Sequence, residues 1–151
     1  MITNKTLRLD IVTPDRIEFS DEVNMVVAPG IEGDLGILPG HIPLVTRLQT
    51  GVLRIYKGSE KLVMAISEGF MEVTKDKVVV LAEAAELPEE VDVERALAAQ
   101  RRAKERLAAH SHDVDIVRAQ AALRRAMTRL QVAREGGRQS SVDLSALDIE
   151  R

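Results

Sequence analysis

The chain has 151 residues and is 45% hydrophobic, with only three aromatics (Phe19, Tyr56 and Phe70), so its core must be built from Val, Ile, Leu, Met and Ala. The absence of cysteine excludes disulfides, thiolate metal sites and thiol catalysis. The net charge of −3 conceals a division: residues 1–91 hold 9 basic and 15 acidic side chains, residues 92–134 hold 10 and 5, and residues 135–151 hold 2 and 4.

No apolar run approaches the roughly 20 residues needed to span a bilayer. The start, Met1-Ile-Thr-Asn-Lys-Thr, lacks the apolar stretch of a signal peptide, so the expectation is a soluble cytosolic chain. Leu7, Leu9 and Ile11 alternate with Arg8, Asp10 and Val12, the period of a half-buried strand that Pro14-Asp15 breaks. Val23, Met25 and Val27 repeat it before Pro29-Gly30. Strands over 52–56 and 61–66 flank Lys57-Gly58-Ser59-Glu60, and strands over 70–73 and 78–82 flank Thr74-Lys75-Asp76-Lys77, which gives two hairpins. Short strands with turns every 8–12 residues predict an antiparallel sandwich or barrel.

Between them lies Gly33-Asp34-Leu35-Gly36-Ile37-Leu38-Pro39-Gly40-His41-Ile42-Pro43-Leu44, where glycines and prolines dictate the backbone path. A phosphate loop is excluded here, because no Gly-Lys-Ser/Thr follows and no helix pattern opens behind it. A metal site is not supported either, since His41 has no nearby His partner.

From Pro88 the pattern becomes helical. Asp92 is a good N-cap, Val93 to Ala109 are strong helix formers, and Ser111-His112-Asp113 interrupts them. A second helix starts at Asp113 or Asp115 and runs to about Arg134, with Gly136-Gly137 ending it, so the two should pair antiparallel. The predicted seam is small: Val93, Ala96, Ala99, Ala103 and Leu107 against Ile116, Ala119, Leu123, Ala126, Met127 and Leu130. At about 0.8 kcal/mol per buried methylene, such a seam holds weakly. It suits either helices that exchange one contact surface for another or a small static appendage. Arg95 stands at N3 of the first helix, where the dipole disfavours a cation, and Arg102 lies two turns along the same face. Arg125 and Arg129 are an i, i+4 pair on the second helix. The four suit either a polyphosphate site or a solvated basic face.

Asp34-Leu-Gly-Ile-Leu-Pro-Gly-His41, Ser67-Glu-Gly-Phe70, Asp92-Val-Glu-Arg-Ala96 and Arg125-Ala-Met-Thr-Arg-Leu130 together resemble the epsilon subunit of bacterial F-type ATP synthases, over about residues 5–134. The resemblance implies an α+β chain: an N-terminal antiparallel β-sandwich (1–87) and a C-terminal antiparallel two-helix hairpin (88–135); the tail 136–151 extends past it, and its Ser/Gly start predicts a flexible linker. It implies a non-enzymatic rotor subunit of a proton-translocating synthase that links gamma to the c-ring, with Asp34 and His41 at the rotor interface. The hairpin would inhibit ATP hydrolysis when extended toward the alpha and beta subunits. Association with the cytoplasmic face of the cell membrane would come only through the complex.

Some members of that family bind ATP through Ile/Leu-Asp-x-x-Arg-Ala. Here positions 91–96 read Val91-Asp92-Val93-Glu94-Arg95-Ala96, and Glu86, Arg102, Arg125 and Arg129 stand at the other contact positions. Val91 is one methylene short of the pattern, a loss of about 0.8 kcal/mol of packing. No cofactor is required; ATP is the implied regulatory ligand. A free-standing enzyme lacks a Walker lysine or nucleophile–base pair, and nucleic-acid binding lacks aromatic stacking residues. A nucleotide-sensing module with little inhibitory action is the alternative that remains.

Overall fold

The computed structural model describes residues 5–109 and 113–136, with the backbone alone at 113–114. The chain divides into two compact units, Met1–Glu86 and Leu87–Arg151. The expected break at Ser111-His112 and the tail beyond Gly136 lie outside the described residues.

The first unit is a ten-stranded β-sandwich: β1 (Leu7–Val12), β2 (Ile17–Val23), β3 (Met25–Gly30), β4 (Gly33–Ile37), β5 (Leu44–Leu48), β6 (Gly51–Lys57), β7 (Glu60–Ile66), β8 (Gly69–Val73), β9 (Lys77–Ala82) and β10 (Ala85–Glu86). The hydrogen-bonded order is β10-β7-β6-β3-β5-β8-β9-β1-β2, with β4 paired to β3. All pairs are antiparallel except β1 with β9, which departs from the wholly antiparallel expectation. The inward faces carry Leu9, Ile11, Val26, Leu53, Ile55, Met64, Met71 and Val80, all fully buried. Each contributes about 1.5–3 kcal/mol by leaving water.

Both expected hairpins form. β6 and β7 pair from Gly51↔Ile66 to Lys57↔Glu60, and Gly58 takes the positive φ of 58° that so short a turn requires. Four strands were not expected: β2, β4, β5 and β10. β2 carries three acidic residues, and Asp21 interrupts the alternation of Ile17, Phe19 and Val23, of which only Val23 is fully buried. The Val23–Val27 pattern splits at buried Asn24, whose Nδ2 donates to Lys5 O (3.0 Å) and whose Oδ1 accepts from Gly58 N–H (2.6 Å). β4 holds two glycines, and its strand geometry comes from pairing with β3 (Val26↔Ile37, Ala28↔Leu35) rather than from its own propensity.

Asp10 anchors a polar cluster across β1, β2 and β9. Ser20 Oγ donates to its Oδ1 (2.6 Å) and Lys77 Nζ lies 3.0 Å from its Oδ2. The serine hydrogen bond, then the lysine, hold its pKa below the ordinary 3.8. A depressed folded-state pKa contributes stability that is present above the unfolded value and is lost as pH falls through the folded one. Asp10→Asn should therefore lower stability at pH 7 and flatten its decline below about pH 4, as measured by urea unfolding at a series of pH values.

The second unit opens with a 3-10 turn (Pro88–Glu90), closed by Glu90, whose carboxylate accepts from Leu87 N–H at 2.7 Å. Helix α1 (Val93–Ala108) starts at the predicted cap: Asp92 Oδ1 accepts from Arg95 N–H at 3.0 Å. Helix α2 (Asp113–Gly136) runs on past Arg134, supported by Gln131 Nε2 donating to Glu135 Oε1 at 2.9 Å. Gly136 is thus the last helical residue, and a Cβ there would collide with the Pro88 ring. The helix ends where the sequence places its stop, and the small size of Gly136 also permits close packing on Pro88. Ala96, Ala103, Ala119, Ala126 and Leu130 are buried as the seam reading requires, and Gln100, Thr128, Val132 and Ala133 join them.

Candidate functional site

Helix geometry distributes the hairpin's predicted ligand residues. Asp92 is exposed, with Oδ1 committed to the cap, while Ala96 is buried and its N–H donates to Asp92 O at 3.0 Å. Val91 is half-buried between the 3-10 turn and α1, and its N–H donates to Pro88 O at 3.3 Å. Arg95 and Arg102 are exposed and share one face of α1, since seven residues make about two turns. On α2, Arg125 is exposed and Arg129 half-buried, one turn apart. Arg95, Arg102 and Arg125 form no ion pair with any described residue. The neighbouring Arg124 is exposed as well, so exposure alone does not single out Arg125. Glu86 is half-buried and belongs to β10 of the first unit, opposite Ala65 of β7.

The two rotor-interface residues lie apart. Asp34 is exposed near the start of β4, opposite Pro29. His41 follows the other end of that strand, three residues or about 10 Å beyond Asp34 plus a loop. The loop is held by Gly40 N–H donating to Lys75 O and His41 N–H donating to Leu38 O, both at 3.1 Å. Gly40 has φ 83° there, which favours glycine. The half-buried ring of His41 donates from Nδ1 to Ile42 O at 2.6 Å, between Leu38 and Ile42, which are 52% and 76% exposed. Asp34 and His41 are therefore not one polar site but two points along the same edge ribbon.

Sequence reasoning missed a third feature. Arg47, Phe70, Leu81, Val12 and Ile17 are successive cross-strand partners over β5, β8, β9, β1 and β2. Because Leu9, Met71 and Val80 take the inward positions, this row faces out. Phe70, Leu81, Ile17 and the neighbouring Val45 are 53%, 51%, 63% and 71% exposed. A depression of about 420 Å³ opens in the row, lined by Val12, Arg47, Glu68, Phe70, Leu81 and Glu83, and includes none of the hairpin arginines. The signal in the sequence was an apolar residue, Val12, Phe70 or Leu81, at an outward position of strands whose inward positions were already apolar.

Among the described residues no cluster of His, Asp or Glu is placed to hold a metal, and no helix is long and apolar enough to cross a membrane. Residues 6–88 match the family model for the ATP synthase Delta/Epsilon chain beta-sandwich domain. Residues 89–134 match that for the long alpha-helix domain of the same chain. The ATP synthase epsilon chain of Desulforamulus reducens is 55% identical over 103 residues, covering 68% of this chain and 78% of the relative. That of Pelotomaculum thermopropionicum is 54% identical over 107 residues, covering 71% and 80%. A chain from the Euglena gracilis mitochondrial ATP synthase superposes with a TM-score of 0.74 at 24% identity, over 88% of this chain and 86% of that one, a likeness of fold. Two domain models in the right order and relatives above half identity lead to one conclusion: this chain belongs to the ATP synthase epsilon chain family.

Proposed function

We propose that this chain restrains ATP hydrolysis by its synthase through the helical hairpin, and that ATP bound to the hairpin biases its position. As an epsilon chain it is a non-catalytic, regulatory component of the rotor stalk and reaches the membrane only as part of the complex. The observation that carries the ATP reading is the start of α1. Asp92 caps the helix while Arg95, at its third position, exposes a guanidinium that has no ion pair among the described residues, where the dipole penalises it. A phosphate group relieves that penalty with charge-assisted bidentate bonds. Ala96, Val91, Arg102, Arg125, Arg129 and Glu86 complete the proposed set.

The same reading assigns partners. Gamma takes the outward apolar row of Phe70, Leu81, Val45 and Ile17, and the ribbon bearing Asp34 and His41 lies at the rotor interface with gamma and the c-ring. The basic hairpin, net +5 over residues 92–134, suits acidic surfaces of the alpha and beta subunits.

Calorimetric titration of the full chain with ATP and ADP tests the ligand. Saturable ATP binding is expected, weakened about ten- to hundred-fold in Arg95→Ala, with gamma binding unchanged in that variant. No binding at millimolar ATP in the wild type would remove the sensor role and leave a hairpin governed by rotor contacts alone. Binding with no effect of ATP on hydrolysis by the complex would favour a sensing module with little inhibitory action.

A further inference from the structure

In the hairpin seam one buried side-chain atom has no hydrogen-bond partner among the described residues. Four described polar residues are buried: Thr13, Asn24, Gln100 and Thr128. Thr13 Oγ1 donates to Arg16 O and both amide atoms of Asn24 are bonded. Gln100 is 9% exposed, and its Nε2 is the buried side-chain nitrogen or oxygen left without an acceptor among the described residues.

Its place on the helix gives this meaning. Gln100 is four residues after Ala96 and three before Ala103, so it lies in the middle of the buried stripe of α1. The element that α1 packs against is α2, which presents Ala119, Ala126 and Leu130. A carboxamide donor buried without an acceptor costs more than a neighbouring alanine methyl returns. Alanine or leucine at this position would complete the stripe at no such cost and with no loss of helix propensity.

We propose that Gln100 is an opening device: its unsatisfied amide holds the closed α1–α2 pairing near balance and finds an acceptor when the helices part. This rests on the reading above that the hairpin exchanges contact surfaces, and it names the residue that sets the ease of the exchange. A 16-residue helix released from its partner is marginal in water, so opening exposes the α1 amides to exchange.

Hydrogen exchange on the full chain tests it, comparing the wild type with Gln100→Met, an unbranched apolar side chain of similar length, and with Gln100→Leu. Protection of the α1 amides should rise about ten-fold in either variant, while amides of β6 in the sandwich are unchanged. Equal or lower α1 protection in both variants means the amide is satisfied in the closed seam, and overturns the proposal. The assembled complex separates this from the lever reading. Faster ATP hydrolysis with Gln100→Met supports both, whereas raised protection without any change in hydrolysis keeps the device and removes the lever.

Discussion

A synthase assembled with this chain cut after Val91 is expected to hydrolyse ATP about five-fold faster or more, the scale of a typical coupling free energy, while gamma and the c-ring remain joined. The sandwich ends at Glu86 and closes its own core around Leu9, Leu53, Ile55, Met64 and Met71, so it has the means to fold without the helices. The segment removed contains the whole of α1 and α2, whose seam is largely alanine. Each alanine contributes a single methyl, and inter-helix attraction of that size is easily exchanged for contacts with another surface. Steady-state hydrolysis by the purified complex, with subunit stoichiometry checked by gel, decides the matter. If the truncated complex assembles and is as inhibited as the full one, the hairpin is not the restraint.

Gly69→Ala should cost about 3 kcal/mol of stability, at the upper end for overpacking, although it adds a single methyl. Gly69 opens β8 opposite Ala82 of β9 and Leu48 of β5. A Cβ built there falls inside the van der Waals envelope of the Leu81 carbonyl and presses on Ala82 Cα. Backbone on both flanking strands blocks relief, and displacing Leu81 would also disturb the apolar row proposed for gamma. Gly36→Ala in β4 is the matched control, because its Cβ meets nothing within 4 Å. Urea unfolding of the two variants should show a large drop in midpoint for Gly69→Ala and a small change for Gly36→Ala. Equal midpoints would mean β8 and β9 can spread without loss.

The Ser67-Glu-Gly-Phe70 segment illustrates how sequence and structure divide the information. Its residues carried part of the family resemblance, but the reason for the glycine is a carbonyl on β9, twelve positions along the chain. The periodic elements were legible because their cause is local. Leu7–Ile11 alternates at the period of a strand, Lys57-Gly58-Ser59-Glu60 turns because glycine tolerates φ 58°, and Asp92 caps α1 because its carboxylate reaches the third N–H. The charge boundary near residue 91 was likewise in the chain itself.

The elements that went unread have non-local causes. β2 and β4 exist because partner strands supply their hydrogen bonds, Asn24 turns the chain because Lys5 and Gly58 satisfy it, and the small size of Gly136 also lets Pro88 pack close. The site residues divide in the same way. Sequence by itself determined that Arg95 and Arg102 share a helical face, from 3.6 residues per turn, and that Asp92 begins the helix, from the acceptor its side chain offers. Only tertiary structure decided that Phe70, Leu81 and Ile17 face outward as one row, that Asp34 and His41 stand at opposite ends of a ribbon, and that Gln100 is enclosed with no acceptor among the described residues. Each of these depends on which strand or helix lies opposite, and pairing is fixed by the packing of the whole rather than by any window of the chain.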